Sequence, residues 1–441
     1  MIQKLNPRRQ FPRLLNRPVL GLLACTTICA QSTSTLTLQQ AEAMALQNHP
    51  RIQAAQHEAA YAGQQITLTR SAYYPQVTGD LTGSQGNTNA RIGAGQLSAS
   101  RLFDRFGQGM VAQQLITDSG RTSSLVASSR LQAQASQQDL QASRYDILLQ
   151  VNRGYFNVQR AQAVVKVAQA TVAARQLFDD QVTELGRNNL RSQLDVSEAD
   201  LTVSQAKLLL LQAQEDVQQA QAELGAALGS DQPADYQLAD EPMPASPPKA
   251  VADLIAQAVA NRPELASLRL ARDAAGKFAE AEKDLSRPTV SAVAVAGFLP
   301  LVKQEGGTAI PAEYEGIAAN VSIPLFNGHQ FAARRNAAQE RALESDQKLR
   351  DQQDRILRDV RVAWSGALTA YQRIDVTAQF LRQADLAIQL AQGRYELQLS
   401  SIVELTQAQL NVTEAQIVNL NAKYDYQSQY SLLQYTIGLL R

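Results

Sequence analysis

The 441-residue chain has two cysteines, three histidines and one tryptophan. So few cysteines and histidines exclude a metal cluster. Charge of one sign is missing too: 41 basic residues face 41 acidic ones, for a formal net charge of zero, which leaves no electrostatic footprint for nucleic acid. Aromatic residues are only 5 %, while Gln and Ala are abundant, a composition that suits long helices with small contact residues and makes a poor enzyme core. No spacing of Ser, His and Asp suggests a catalytic triad. Beyond the N-terminus there is no apolar run long enough for a membrane-crossing helix, so residence in a membrane would have to rely on strands.

The N-terminus reads as an export signal over residues 1–30. Lys4, Arg8, Arg9, Arg13 and Arg17 precede the short apolar run Val19 to Ala30. Arg8-Arg9-Gln10-Phe11 weakly echoes a twin-arginine signal. Cleavage after Ala30 would remove both Cys25 and Cys29, although Ile28 is larger than usual at its position. Leu22-Leu23-Ala24-Cys25 can also be read as a lipobox with Cys25 lipidated. Reach argues against it. Thirteen residues span at most ~45 Å extended, and the first helix starts roughly 50 Å below its far end. The expectation is a cysteine-free, unlipidated mature N-terminus.

Proline is absent after Pro324, so nothing forbids a helix from about Gly328 to about Leu399, roughly 100 Å long. What fills it is a heptad seam: Ile356, Val360, Ala363, Ala367, Ala370, Ile374, Thr377, Leu381, Ala384, Ile388, Ala391, Tyr395. That spacing marks helices packed knobs-into-holes over a long distance. The seam recurs 209 residues earlier as Ile147, Val151, Gly154, Val158, Ala161, Val165, Ala168, Val172, and Gly229 falls on Gly438 at the same offset. Upstream the offset is 213, aligning Asn48-His49-Pro50 with Asn261-Arg262-Pro263 and Pro75 with Pro288. The chain is a tandem duplication: residues 31–229, a linker at 230–249 holding five prolines, and residues 250–441.

Each copy reads as helix, strand, strand, very long helix, tight turn, helix. Leu38 to about Arg70 is helical with a break at Pro50, and Val251 to Leu285 repeats this around Pro263. Val77 to Gly83 alternates as a strand, and Met110 to Thr117 reads as a second, with a loop from about Ser84 to Phe106 between them. In the second copy Thr289 to Phe298 and Ile317 to Leu325 are strand-like, around a loop carrying Pro300, Gly306, Gly307 and Pro311. A long helix from Gly120 to about Leu185, the turn Gly186–Arg191 and a helix that Ser192 and Asp195 are placed to cap close the first copy. The second closes with Ile402 to about Ile437. Strands of this length can cross a bilayer when tilted, and equally can form soluble hairpins capping a coiled coil. Four strands cannot close a barrel, so their edges need partners from other chains.

This ordered set resembles the TolC-like outer-membrane efflux proteins. The resemblance rests on the duplicated plan, on Asn-His-Pro and Asn-Arg-Pro before the strands, on Pro324-Leu-Phe-Asn-Gly328, and on Arg394-Tyr395-Glu-Leu-Gln-Leu-Ser-Ser-Ile-Val-Glu404 at a helical turn. It implies a mostly α fold with a small β part. Three chains would give four strands each to a twelve-stranded barrel in the outer membrane, and their helices would form a periplasmic α-barrel. It implies a passive duct, not an enzyme and without cofactor, working with a periplasmic adaptor and an inner-membrane transporter. The alternatives are a type I protein-secretion duct and an exported coiled-coil structural protein without a channel.

The resemblance also carries roles onto residues. Tyr395 falls on a gate tyrosine, Glu404 on the first of two acidic constriction positions and Gln407 on the second, where the acid is missing. The usual basic partner five residues after the tyrosine is Ser400 here. Glu404 can equally be a solvated carboxylate in a first helical turn. Asp195 and Glu198 hold the matching tip of the first copy. The turns carrying Gly186, Arg187, Leu190, Leu399, Ser400 and Ser401 are the expected adaptor contacts.

Overall fold

A computed structural model describes residues 35–85, 105–230, 236–302 and 312–440. The export-signal and Cys25 readings fall outside these residues, as do the expected loop positions Gly306, Gly307 and Pro311. The elements run α1 (Leu38–Asn48), α2 (Pro50–Arg70), β1 (Gln76–Ser84), β2 (Arg105–Thr117), α3 (Arg121–Arg187) and α4 (Gln193–Leu228). The series then recurs as α5 (Val251–Asn261), α6 (Pro263–Lys283), β3 (Thr289–Val302), β4 (Glu313–Ser322), α7 (Gln330–Glu396) and α8 (Ile402–Thr436). Pro50 and Pro263 each stand in the first turn of a new helix, where the missing N–H costs nothing.

The strands differ from the sequence expectation at their ends. β2 starts at Arg105, so Phe106 is in the ladder rather than the loop, and β3 runs through Pro300 to Val302. β4 is shifted toward the N-terminus and stops at Ser322, two residues before Pro324, which has no N–H to continue a ladder. The long helices also outlast expectation: Gly186 and Arg187 are the last helical residues of α3, not part of the turn.

The four strands form one antiparallel sheet in the order β1-β2-β3-β4, so β1 and β4 are open edges. The register puts Val77, Leu81, Met110, Ile317 and Val321 on one face, all exposed. The other face carries Thr78, Asp80, Gln113 and Asn320 with Val111, Val293 and Val295 between them, while Gln108, Glu313 and Glu315 share the first face at the end away from the helices. On that polar face Asp80, Gly109, Gly297 and Tyr314 form one row, and a Cβ on either glycine would collide with the Tyr314 ring. The ring lies flat across two strands because both neighbours lack side chains.

Below the sheet, α3 and α7 run the full length of the helical body. Near the sheet α3 lies between α2 and α6, tied by the Thr69–Ser129 hydroxyl bond (2.9 Å) and by Ser128 donating to the Ala274 carbonyl (2.8 Å). Further down α4 and α8 take over those places, and α7 flanks α6 and then α8. The seams are mostly alanine and valine and are buried, from Ala168 and Ala199 to Ala363 and Ala415. Small residues let the axes approach closely, so stability accumulates from many small burials along the length.

Two glycines fix where the tiers meet. Gly229 and Gly438 end α4 and α8 at φ of +71° and +73°, the left-handed conformation that closes helices. A Cβ on Gly229 would sit 2.8 Å from the His49 Cα, and one on Gly438 would sit 2.9 Å from the Asn261 Cβ. Each lower helix therefore ends against the proline-marked joint of its own copy.

The proline-rich segment expected as a linker is a strap from residue 236 onward. Leu36 pairs with Leu238, and the Tyr155 hydroxyl lies 2.9 and 2.7 Å from the Leu36 and Ala239 carbonyls. Tyr426 donates to the Ala245 carbonyl, and the Trp364 indole to that of Pro248 (2.8 Å). Tyr155 and Trp364 are 209 residues apart, so both copies hold the strap from the same place. Burial raises the Tyr155 hydroxyl to about 12.

A second heptad seam remains uncovered on each flank. On α4 and the turn before it, Leu190, Leu194, Ser197, Leu201, Ser204, Leu208 and Leu211 recur at 4-3 spacing, all exposed. On α7, Val376, Gln379, Gln383, Leu386 and Leu390 do the same. The α4 stripe lies opposite its α3-facing seam, and α4 and α7 have no substantial contact with each other within the chain.

Candidate functional site at the helical tips

The two hairpins close with the same turn. Asn189 and Gln398, 209 residues apart, adopt φ of +58° and +60°. Leu190 then donates to the Leu185 carbonyl (2.9 Å) and Leu399 to that of Arg394 (2.8 Å). This six-to-one closure satisfies the last carbonyls of α3 and α7 and turns the chain through about 180° in few residues.

The helices leaving the turns begin differently. Ser192 and Asp195 form a reciprocal capping box at 3.1 Å in each direction. Ser401 makes no side-chain cap, and Glu404, which occupies the same helical position as Asp195, instead pairs with Arg394 at 3.3 Å. Both side chains of that pair are about half exposed. Gln407 is exposed and donates to Asn411 (2.9 Å). Glu198 is half-buried.

Tyr395 is the centre of the tip. It is 5 % exposed, packed among Ala391, Ile402, Leu405 and Ala408, with the Phe178 ring from α3 at 5.9 Å. The Arg191 guanidinium lies 4.1 Å from its ring centroid and also donates to its carbonyl (3.3 Å). Arg191 belongs to the first hairpin and Tyr395 to the second, so this stack clasps one to the other. The tyrosine hydroxyl is buried without a hydrogen-bond partner among the described residues. Burial raises its pKa, Arg191 opposes that, and Asp195 adds to it.

The sequence reading placed the basic partner at residue 400 and found serine. The arginine that does lie on the Tyr395 ring is Arg191, the counterpart of Ser400 in the first copy. The residue that sits where Tyr395 would fall in the first copy is Gly186, and there a Cβ would already stand 2.8 Å from Val196 Cγ2. The repeat offset was the available signal: testing both members of each 209-residue pair finds Arg191.

Beyond Val172, where the apolar seam of the first hairpin ends, charge enters the same face. Arg175 is 5 % exposed, and burial pushes its pKa down to about 10. Asp179, one turn on, is pushed up by burial and by Asp200 and Asp180, against Lys207. Their counterparts in the second copy are Ala384 and Ile388.

At the extreme tip Leu190, Leu194, Leu397 and Leu399 are 63–71 % exposed. Ser400 is half-buried with an unpartnered hydroxyl, while Arg187 and Ser401 are exposed. Among the described residues no group of three His, Asp or Glu is placed to hold a metal, and no helix is long and apolar enough to cross a membrane.

Two copies of a long helical hairpin thus hang from one four-stranded antiparallel sheet. The family model described as "Outer membrane efflux protein" matches residues 43–230 and 254–439, and the chain belongs to that family. It is 23 % identical over 425 residues to the outer membrane efflux protein BepC of Brucella suis biovar 1 (strain 1330), covering 94 % of this chain and 88 % of that one. It is 24 % identical over 404 residues to the outer membrane protein TolC of Salmonella enteritidis, covering 88 % and 79 %. Its fold matches the CmeC outer membrane channel of Campylobacter jejuni with a TM-score of 0.79 at 17 % identity, over 97 % of this chain and 94 % of that one. The matched relatives are channels and efflux proteins rather than enzymes, and the family implies an outer-membrane location.

The clasp gives a testable expectation. Arg191→Ala should loosen the tip by about 0.5–2 kcal/mol, the range of a partly desolvated cation–π contact. Tyr395→Phe should be close to neutral, because its hydroxyl has no partner. Hydrogen exchange of the amides around residues 391–405 reads both. Equal loosening by the two substitutions would show that the hydroxyl, not the ring face, carries the contact.

Proposed function

We propose that the protein is a passive, homotrimeric exit duct of the outer membrane, with its helical body in the periplasm. In this reading a periplasmic adaptor and an inner-membrane transporter supply cargo and energy. The observation that carries the reading is the set of unfinished edges. β1 and β4 are open, and an open edge at bilayer depth is not viable. Closed cyclic symmetry pairs β1 with β4 of the next chain and brings the α4 flank against the next α7. Level turns then oppose Leu190 with Leu397, Leu194 with Gly393, Ser197 with Leu390, Leu201 with Leu386 and Leu211 with Val376. Leu194 meets Gly393 and Leu390 meets Ser197, while leucine meets leucine or valine at the other three pairs, an apolar seam of the knobs-into-holes kind. A Leu201→Cys, Leu386→Cys double variant should oxidise to a covalent three-chain species; failure at this pair and at Leu211→Cys with Val376→Cys would reject the seam.

Glu404, and with it Gln407, faces the constriction in this reading. Three carboxylates in a ring favour cations, each tempered by its Arg394 partner. Glu404→Gln should lower cation selectivity in single-channel recordings and Arg394→Gln should raise it. Unchanged selectivity in both would return Glu404 to a solvated helix residue.

The exposed leucines at the turns offer the adaptor an apolar surface at the end of an otherwise polar tip, alongside Gly186, Arg187, Ser400 and Ser401. Leu399→Asp should abolish efflux in cells while the trimer and its conductance persist. Normal efflux would move the contact elsewhere.

A further inference from the structure

Four helix ends meet the sheet at one level, and that level carries unbalanced positive charge. Arg70 ends α2, Lys283 ends α6, Arg121 opens α3, and Arg334 with Arg335 lies in the second turn of α7. The carboxylates there are already engaged. Asp118 caps α3 through the Thr122 amide and hydroxyl (2.7 and 2.5 Å). Buried Glu282 takes Arg334 through two bonds (2.7 and 3.0 Å) and Arg121 at 3.8 Å, leaving the Arg121 Nε buried without a partner. Asp284 pairs with Arg287 at 3.0 Å. Among the described residues Arg70, Lys283 and Arg335 are exposed and have no carboxylate within ion-pair distance.

Assembly does not neutralise them. The flanks that symmetry brings together at this level are α2 and the next α7, which present Arg70 and Arg335, two like charges. The preceding acid on α2 is Glu58, twelve residues away and therefore ~18 Å along the helix. Glu340, the next on α7, is about 7.5 Å further from the sheet than Arg335.

The same level has an apolar and aromatic edge. Tyr73 and Tyr74 lead into β1, and Leu325 and Phe326 follow β4; all four are exposed, Phe326 by 82 %. Just above them the apolar sheet face begins at Val77 and Val321. An apolar band, then aromatics, then unpaired cations is the order in which a bilayer presents acyl chains, glycerol and phosphate.

We propose that this rim is a binding site for anionic phospholipid of the periplasmic leaflet, with Arg70, Lys283 and Arg335 on the headgroup phosphates and Tyr73, Tyr74 and Phe326 against the glycerol and upper acyl region. The proposal rests on the outer-membrane reading above. Arg121, Arg334 and Glu282 are the rigid base: they hold α3, α6 and α7 together so that the three free cations keep their places. Each cation near an anionic surface strengthens attachment by about fivefold, and salt weakens it.

The test uses the full-length protein in mild detergent, with native mass spectrometry counting bound phosphatidylglycerol and phosphatidylethanolamine added in turn. Phosphatidylglycerol should bind at least tenfold more tightly, and raising the salt should erase the difference. The variant Arg70→Gln, Lys283→Gln, Arg335→Gln should lose the preference, whereas Arg355→Gln with Lys423→Gln, away from the rim, should keep it. If the triple variant fails to assemble, each single variant should lower the preference by about fivefold. Equal binding of the two lipids by the wild-type protein, or an undiminished preference in the rim variants, would overturn the proposal. Membrane fractionation of the same cells reports separately on the outer-membrane reading.

Discussion

The small-residue seam is the constraint from which the rest follows. With alanine and valine the commonest inward residues, α3 and α7 pack closely on their partners but bury little area at each such position. Such contact needs length to hold, which is why the hairpins are long. It also needs a fixed register, because a helix shifted by one residue turns its seam by about 100°. Register is pinned at both ends of the lower tier. The left-handed turn residues Asn189 and Gln398 set it at the tips, and Gly229 and Gly438 set it where α4 and α8 meet the α1–α2 and α5–α6 joints.

Between those ends the strap does for the two copies what the seams do within each. Four prolines between residues 242 and 248 keep the strap from forming a helix or ladder of its own, so its carbonyls are left for side chains to take. Tyr155 and Gln159 from α3, Trp364 from α7, and Tyr426 and Gln427 from α8 take them. Three of the long helices are thereby tied across the middle by the strap, whose Tyr236 and Leu238 also pack on the first copy's core. Ser431 also reaches across to Asn152 (3.2 Å), joining α8 to α3 in the same zone.

The sequence made the helical plan readable because its signals are periodic and repeated. Pro50, Pro263 and the 209-residue offset locate helix starts and turns almost to the residue. Strand ends were less legible. β4 was read from the alternation Ile317 to Leu325, but pairing with Thr289–Phe298 decides where the ladder stops, and alternation alone carries no information about a partner. Pro300 reads as loop in the sequence, yet β3 runs through it, because a strand end tolerates the donor that proline lacks. At the tip, Tyr395 was found through a motif, while Arg191 was not. Its contact crosses between hairpins 204 residues apart, and no local pattern encodes that.

The differences between the copies at the tip each have a steric or electrostatic reason. Where the second hairpin has Tyr395, the first has Gly186, which lets Val196 come within contact and closes the hairpin tightly. Where the second has Ser400, the first has Arg191, long enough to reach the tyrosine face that Gly186 cannot offer. Where the first has a completed capping box at Asp195, the second leaves Ser401 uncapped and frees Glu404 to meet Arg394. A capped helix start resists fraying, and an uncapped one held by a half-exposed ion pair yields more readily, because such a pair contributes at most about 1 kcal/mol. The first hairpin's returning helix is thus the better capped of the two. At the tip the Arg191 stack on Tyr395 ties the two hairpins together, beside the Phe178 ring that packs on the same tyrosine.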